Sequence, residues 1–318
     1  MNIDSIQAAE TRIRPYIRRT PLERSETLSR LLDTRVYVKY ELFQKTGSFK
    51  VRGAFNKLLL MSDEELSKGV VAVSGGNHAQ AVAYASAILG VDSVIVMPES
   101  TPMNYLEATR GYGATVVLKP SIAEAFQEVA RYQEMGRSFL HPFDDVEIMA
   151  GQGTIGLEII EDLPEASDIV VSIGGGGLAG GVAAAVKAMS PAVRIWGVET
   201  VGADAMTQAL AAGRPVELSA ITSVAKTLGA PHVSDLTLSL AQKHLESVTV
   251  VSDSDAVRAM YLIAERLKVI TEPAASCTLA AAEKLRANFS SSSSVVLILC
   301  GGNTAVSDIC SFGSMLDS

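Results

Sequence analysis

The segment Asp168–Val186, DIVVSIGGGGLAGGVAAAV, sets four consecutive glycines between an apolar run and an alanine-rich run. Few structures accept four residues of bare backbone. A membrane span is one, because Ile169–Val186 is uncharged and about long enough to cross a bilayer. Six of those residues are glycine, however, and each costs about 1 kcal/mol against alanine inside a helix. A strand, a tight turn and a helix explain the order of residue types better, and such a turn leaves N–H groups free for an anion. Gly175, Gly177 and Gly180 satisfy G-x-G-x-x-G, and Glu199 lies nineteen residues beyond Gly180, where a ribose-binding acid would stand. A nicotinamide dinucleotide site, and with it an oxidoreductase, therefore stays open on these residues alone. So does a cradle for another phosphate.

The same strand–turn–helix period recurs along the chain. GVVAVS (69–74), SVIVMP (93–98), ATVVLK (114–119), FLHPF (139–143), DIVVSI (168–173), RIWGVE (194–199) and SVVLILC (294–300) read as short strands. Helical stretches stand between them. NHAQAVAYASAILG ends on Gly90, and TPMNYLEATRGYG has Thr101 as its cap and Pro102 in the first helical position. Ser121 with Glu124 reads as a capping box. GQGTIGLEIIEDL, LAGGVAAAVKAM, SDAVRAMYLIAERLK and EPAASCTLAAAEKL complete the set, and the N-terminal stretch reads as a surface helix starting at Asp4. Strands alternating with helices predict parallel sheets covered on both faces, with ligands beyond the C-terminal strand ends. SGGNH, GGGGLAGG and CGGN all take that position, so three turns are expected around one site.

Composition narrows the partners. A net charge of -8 with no basic cluster argues against nucleic acid and anionic membrane surfaces. Cys277, Cys300 and Cys310 form neither a disulfide framework nor a zinc pattern, and the N-terminus has no apolar signal core. Reduced thiols and a cytoplasmic setting are expected.

Lys45–Leu58, KTGSFKVRGAFNKL, sets Ser48-Phe49-Lys50 ahead of Arg52-Gly53-Ala54. With SGGNHAQ (74–80) and the tetraglycine, this frame resembles the fold-type II pyridoxal-phosphate enzymes, in particular the serine/threonine dehydratases (threonine ammonia-lyases) and the serine racemases, and the dehydratases most. The motifs run in order from about Pro21 to about Asn303. The resemblance implies a tryptophan-synthase-β-like α/β fold of two domains, each a mainly parallel sheet covered by helices. It places 1–67 plus 141–318 in a large cofactor-binding domain and 68–140 in a small mobile one, and it implies a homodimer.

For pyridoxal 5'-phosphate the resemblance implies a Schiff base on Lys50, whose amine must lose its proton to react. Lys45 and Lys57 read as solvated charges. Phe49 and Leu178 would contact the cofactor, Gly174, Gly175, Gly176 and Gly177 would cradle the phosphate, and Asn77 would bond the phenolic oxygen. Cys300 would face the pyridine nitrogen and leave it unprotonated. Ser74, Gly75, Gly76, Asn77 and His78 would take the carboxylate of a small amino-acid substrate. Freed Lys50 then removes the Cα proton, the β-hydroxyl leaves, and the released enamine hydrolyses to a 2-oxo acid and ammonia.

Three departures matter. Racemases carry a second serine where this chain has Gly75, which cannot exchange a proton. Some members bind Mg²⁺ or another divalent cation through a Glu, a carbonyl and an Asp. Glu199 and the Ala203 carbonyl match, but the Asp position falls on Ala205, beside Asp204. The Asp-Gly common before the substrate pocket is replaced within ITSVAKTLGAP (221–231), so the accepted side chain need not be that of threonine or serine: phenylserine and 3-hydroxyaspartate are alternatives. The chain stops fifteen residues after Asn303, which predicts no regulatory domain and a catabolic enzyme.

Overall fold

The computed structural model describes residues 1–316. Among them, ten strands form two sheets: β1 (Leu22–Arg24), β2 (Arg35–Lys39), β3 (Val70–Val73), β4 (Ser93–Pro98), β5 (Thr115–Lys119), β6 (Ser138–Phe139), β7 (Asp168–Ser172), β8 (Arg194–Thr200), β9 (Ser247–Val251) and β10 (Ser294–Ile298). One sheet has the order β1-β2-β10-β7-β8-β9 and the other β5-β4-β3-β6. Only β1, paired with β2, runs antiparallel. Strands β3, β7 and β10 are buried along their whole length. That is why they read as unbroken apolar runs rather than alternating ones.

The strand orders locate the site. In the larger sheet the chain steps outward from β7 through β8 to β9, while β10 pairs on the other side of β7. In the smaller sheet it steps from β3 through β4 to β5, while β6 pairs on the other side of β3. Each sheet thus reverses direction once, and ligands bind in the crevice outside such a reversal. The segments that leave β3, β6, β7 and β10 all line one cavity of about 600 Å³.

Two features hold the Lys50–Leu58 helix in place. Glycines remove side chains where helices cross: a Cβ on Gly151 would lie 2.6 Å from the Gly53 Cα, and one on Gly181 would lie 2.4 Å from the Met149 carbonyl. The helix Val146–Asp162 therefore lies in backbone contact with both the Lys50 helix and the helix Gly177–Met189. The second feature is a buried charge cluster. Arg52 directs its Nε and Nη2 at Glu41 (2.9 and 2.8 Å), its Nη1 and Nη2 at Glu158 (2.7 and 2.9 Å), and Nη1 also at Thr154 (3.0 Å). All five guanidinium N–H groups are used. Lys39 Nζ completes the cluster on Glu158 and the Thr20 carbonyl.

The apolar core around the smaller sheet includes Ile13, Val51, Ala54, Phe55 and Leu58. The Lys50 helix therefore shares that core, although its sequence position precedes residue 68.

Local details differ from the sequence expectations. The first helix, Ile3–Ile13, is capped by Asn2, not Asp4, through a reciprocal bond with Ser5, and it buries Ile6, Ala9 and Ile13. The helix Met103–Gly111 takes Pro102 as its cap in place of Thr101, because ψ of Pro102 is 142° and extended. The proline ring fixes φ and leaves ψ free. The FLHPF strand is confined to Ser138–Phe139, and the chain beyond turns on His141, whose Nδ1 accepts the N–H groups of Phe143 and Asp144. No helix among the described residues is long and apolar enough to cross a membrane.

Arg52→Met would leave buried Glu41 without its cation and Glu158 with Lys39 alone. Unfolding free energy should fall by about 3–5 kcal/mol, measured from the urea midpoint. A fall below about 1 kcal/mol would show that the cluster is not what anchors this helix.

Candidate active site

Lys50 is the first residue of its helix, and that helix start is tied to the end of β10. The Phe49 N–H donates to the Cys300 carbonyl (3.1 Å), Gly302 N–H donates to the Gly47 carbonyl (3.0 Å), and Ser48 forms a bridge with Gly301. The Lys50 amine donates to the Pro142 carbonyl (2.7 Å) and stands 5.2 Å from the Phe49 ring centre. The side chain keeps some exposure to the cavity, but protein surrounds the amine, and this burial lowers its pKa to about 8. Cys300 opposes that shift only weakly. A lysine whose proton is this easily lost suits attack on an aldehyde.

The tetraglycine follows β7 and enters the helix Gly177–Met189. Gly176 takes φ +92° as the helix cap, and no side chain caps this terminus. The first-turn N–H groups are thus left for a ligand. Side chains would also fill the cradle: a Cβ on Gly175 would lie 2.2 Å from the Phe143 ring, and one on Gly174 3.0 Å from the Leu228 carbonyl. Leu178 is buried and lines the same wall.

The turn Ser74–His78 lies opposite. Ser74 Oγ accepts the Gly76 N–H (3.1 Å), which closes the turn, and the helix Asn77–Leu89 begins without a side-chain cap. The Asn77 amide nitrogen donates to both oxygens of Glu272 (2.9 and 3.1 Å), and its oxygen accepts from the Asn303 amide (2.8 Å). His78 is buried, with Nε2 on the Leu140 carbonyl (2.9 Å), and burial beside Lys50 lowers its pKa to about 3. A ring that stays neutral and faces β6 holds the turn rather than acting as an acid or base.

Cys300 is buried, and burial raises its thiol pKa, so it presents a neutral, weakly polar group to the cavity. Lys50, Asn77, Cys300 and the tetraglycine are therefore gathered around one space, in keeping with the expectation of three strand-end turns. A phosphate on the glycine N–H groups, a carbonyl carbon at Lys50 and a ring between Phe49, Asn77 and Cys300 would fit these residues.

Glu199 and Ala203 lie elsewhere. Glu199, one residue before the end of β8, is fully buried, and its carboxylate accepts Met206 N–H, Thr207 N–H and the Thr207 hydroxyl at 2.8, 2.8 and 2.7 Å. Burial raises its pKa to about 7. These three bonds tie the end of β8 to the first turn of the helix Ala205–Ala212. No cluster of three or more His, Cys, Asp or Glu suited to a metal exists among the described residues. The same burial removes Glu199 as a ribose ligand, so the dinucleotide reading loses the acid it needs.

Several site residues were not foreseen. Glu272 is buried without a cation partner among the described residues. Besides Asn77 it accepts Asn303 N–H (3.0 Å) and the Thr227 hydroxyl, and burial raises its pKa. It therefore orients Asn77 and joins the turn after β3 to the segments after β10. Pro273 signals a helix start here, but no local pattern shows that the carboxylate turns into the cleft. Phe143, Pro142, Thr101 and Lys226 also line the cavity.

Comparison with known proteins agrees. The family described as pyridoxal-phosphate dependent enzyme matches residues 13–301. An L-threonine ammonia-lyase of Thermotoga maritima is 39% identical over 97% of this chain and 77% of its own. The structure of maize serine racemase superposes with a TM-score of 0.93 at 38% identity, covering 99% of this chain and 98% of its own. The T.th. threonine deaminase gives 0.90 at 38% identity, over 96% of this chain and 99% of its own.

The lowered Lys50 pKa makes a pH prediction. The reactive amine is the deprotonated one, so its fraction grows as pH rises and levels off above about 8. Attachment of pyridoxal phosphate to the apoenzyme, followed by absorbance, should speed up about tenfold per pH unit below that point and then flatten. A rate still climbing at about pH 9.5 would mean an ordinary lysine.

Proposed function

From the premise that the chain belongs to the pyridoxal-phosphate-dependent enzymes, we propose that it is an ammonia-lyase of β-hydroxy amino acids. By default it converts L-threonine and L-serine to 2-oxobutanoate and pyruvate, with release of ammonia. Relatives named L-threonine ammonia-lyase and threonine deaminase support the reaction class. The observation that carries the reading is the placement of a low-pKa Lys50 across one cavity from an uncapped glycine N-terminus.

When bound, pyridoxal phosphate takes up the electrons left at Cα as the Cα–H bond breaks. The chain supplies the rest. Lys50 would hold the cofactor through its aldehyde carbon and, once free, its amine would serve as the base for the Cα proton. Gly174–Gly177 hold the phosphate through backbone N–H groups and the helix dipole. Asn77, oriented by Glu272, would stand beside the cofactor's phenolic oxygen. The neutral Cys300 thiol cannot donate strongly to the ring nitrogen, which favours loss of a β-leaving group over deeper carbanion chemistry. The turn Ser74–His78 takes the substrate carboxylate at the start of its helix.

Gly75 favours elimination over racemisation, because no hydroxyl stands there to serve the second face. Its surroundings fit glycine: a Cβ would lie 2.7 Å from Thr101 Oγ1. The proposal includes no divalent cation, since Glu199 is engaged with Met206 and Thr207. It does include a homodimer, from the family resemblance, a cytoplasmic setting, from the cysteine pattern and the N-terminus, and closure of residues 68–140 over the substrate.

Purified holoenzyme given L-serine or L-threonine should release one ammonia per 2-oxo acid, with D-serine forming more slowly than pyruvate. Faster interconversion of L- and D-serine than pyruvate release would overturn the lyase reading.

A further inference from the structure

None of the described residues lining the cavity is Asp, Glu or Arg, in a chain with 35 acidic and 27 basic residues. Its two lysines are Lys50 and Lys226. Lys226 opens the short helical turn Lys226–Leu228, is exposed, and pairs with no carboxylate among the described residues. The turn is held firmly. Thr227 donates to Glu272, the Leu228 N–H to the Ala225 carbonyl (2.9 Å), and the Gly229 N–H to the Lys226 carbonyl (3.0 Å). The approach is fixed by Val224 N–H on Asp253 (2.9 Å) and Ala225 N–H on Ser223 Oγ (3.0 Å).

This turn spans both anion-binding loops. A Cβ on Gly76 would lie 3.4 Å from Thr227 Cγ2, and a Cβ on Gly174 would lie 3.0 Å from the Leu228 carbonyl. Leu228 thus covers the glycine cradle, Thr227 covers the Ser74–His78 turn, and Lys226, beside Thr227 in sequence, lines the same cavity. Both of those loops have backbone N–H groups for their own anions, so Lys226 is a spare cation on the substrate side.

Resting on the lyase reading above, we propose that Lys226 selects β-hydroxy amino acids whose side chain carries a second carboxylate, the class of 3-hydroxyaspartate. Ile221, Tyr105 and Phe143 line the rest of the cavity and offer a second carboxylate no competing cation. The reaction balances as before. The Cα–H and Cβ–O bonds break, water leaves, and water then hydrolyses the enamine. One 3-hydroxyaspartate gives one oxaloacetate and one ammonia, with no external oxidant or reductant.

The test compares holoenzyme with Lys226→Met and Lys226→Arg on the threo and erythro isomers of 3-hydroxyaspartate, on L-serine and on phenylserine. For the better 3-hydroxyaspartate isomer, wild type should exceed its own kcat/KM for serine. Lys226→Met should lower that isomer's kcat/KM about tenfold to a hundredfold while serine changes by less than about threefold, and Lys226→Arg should restore most of the loss. L-Aspartate has no β-hydroxyl to lose, so its binding can be titrated through the cofactor absorption. That binding should weaken in Lys226→Met while L-alanine binding does not.

An equal fall on serine would assign Lys226 to the α-carboxylate, and weakened cofactor binding would assign it to the phosphate. A preference for phenylserine untouched by Lys226→Met would give the pocket to apolar side chains. Each result overturns the proposal. If no substrate yields a 2-oxo acid, the lyase reading fails, and the L-aspartate titration still decides whether Lys226 reads a second carboxylate.

Discussion

The buried guanidinium of Arg52 is the contact on which the site depends. It lies two residues beyond Lys50 and uses every N–H on Glu41, Glu158 and Thr154. Such a cluster adds little net stability compared with apolar packing, but it tolerates one geometry only, because a misplaced charge there would be unpaired. The helix bearing Lys50 is thereby locked to the segment after β2 and to the long helix Val146–Asp162. Backbone bonds from Phe49 to Cys300 and from Gly302 to Gly47 fix the other side. Lys50 thus projects from a rigid mount into the crevice between two sheets.

Around that mount the site works with low charge. Burial brings the Lys50 pKa down toward neutrality, keeps His78 uncharged and raises the Cys300 thiol. Glu272 is satisfied by neutral donors from Asn77, Thr227 and Asn303. Anions are left to backbone N–H groups at two helix starts. An acidic protein can hold an anionic cofactor in this way, because the local field comes from peptide dipoles and not from net charge.

The central strands and the turns that follow them were readable because each carries a dense local signal. β3, β7 and β10 are fully buried apolar runs, and the glycines after them have no other good use. β1, β2 and β9 were not assigned: β1 has only three residues, and β2 and β9 are five-residue strands with partly exposed positions. The cap at Asn2 eluded local rules because Asp4 fits the pattern as well, and Pro102 because its extended ψ delays the helix by one residue. Lys50, Asn77 and Cys300 were found through a family frame, not through periodicity. Glu272 and Thr227 stayed hidden because their importance lies in where their side chains point, 195 residues and 45 residues from their partners Asn77 and Glu272. The Glu199 expectation shows the converse. A carboxylate at the right spacing can be consumed by the next helix.

The most direct measurement is chemical. Holoenzyme reduced with borohydride should lose its yellow colour, and the cofactor mass should appear on the proteolytic peptide that contains Lys50. Lys50→Ala should bind pyridoxal phosphate without becoming labelled. Label on a peptide containing Lys226, or an unmodified Lys50 in a reduced and active protein, would contradict the account.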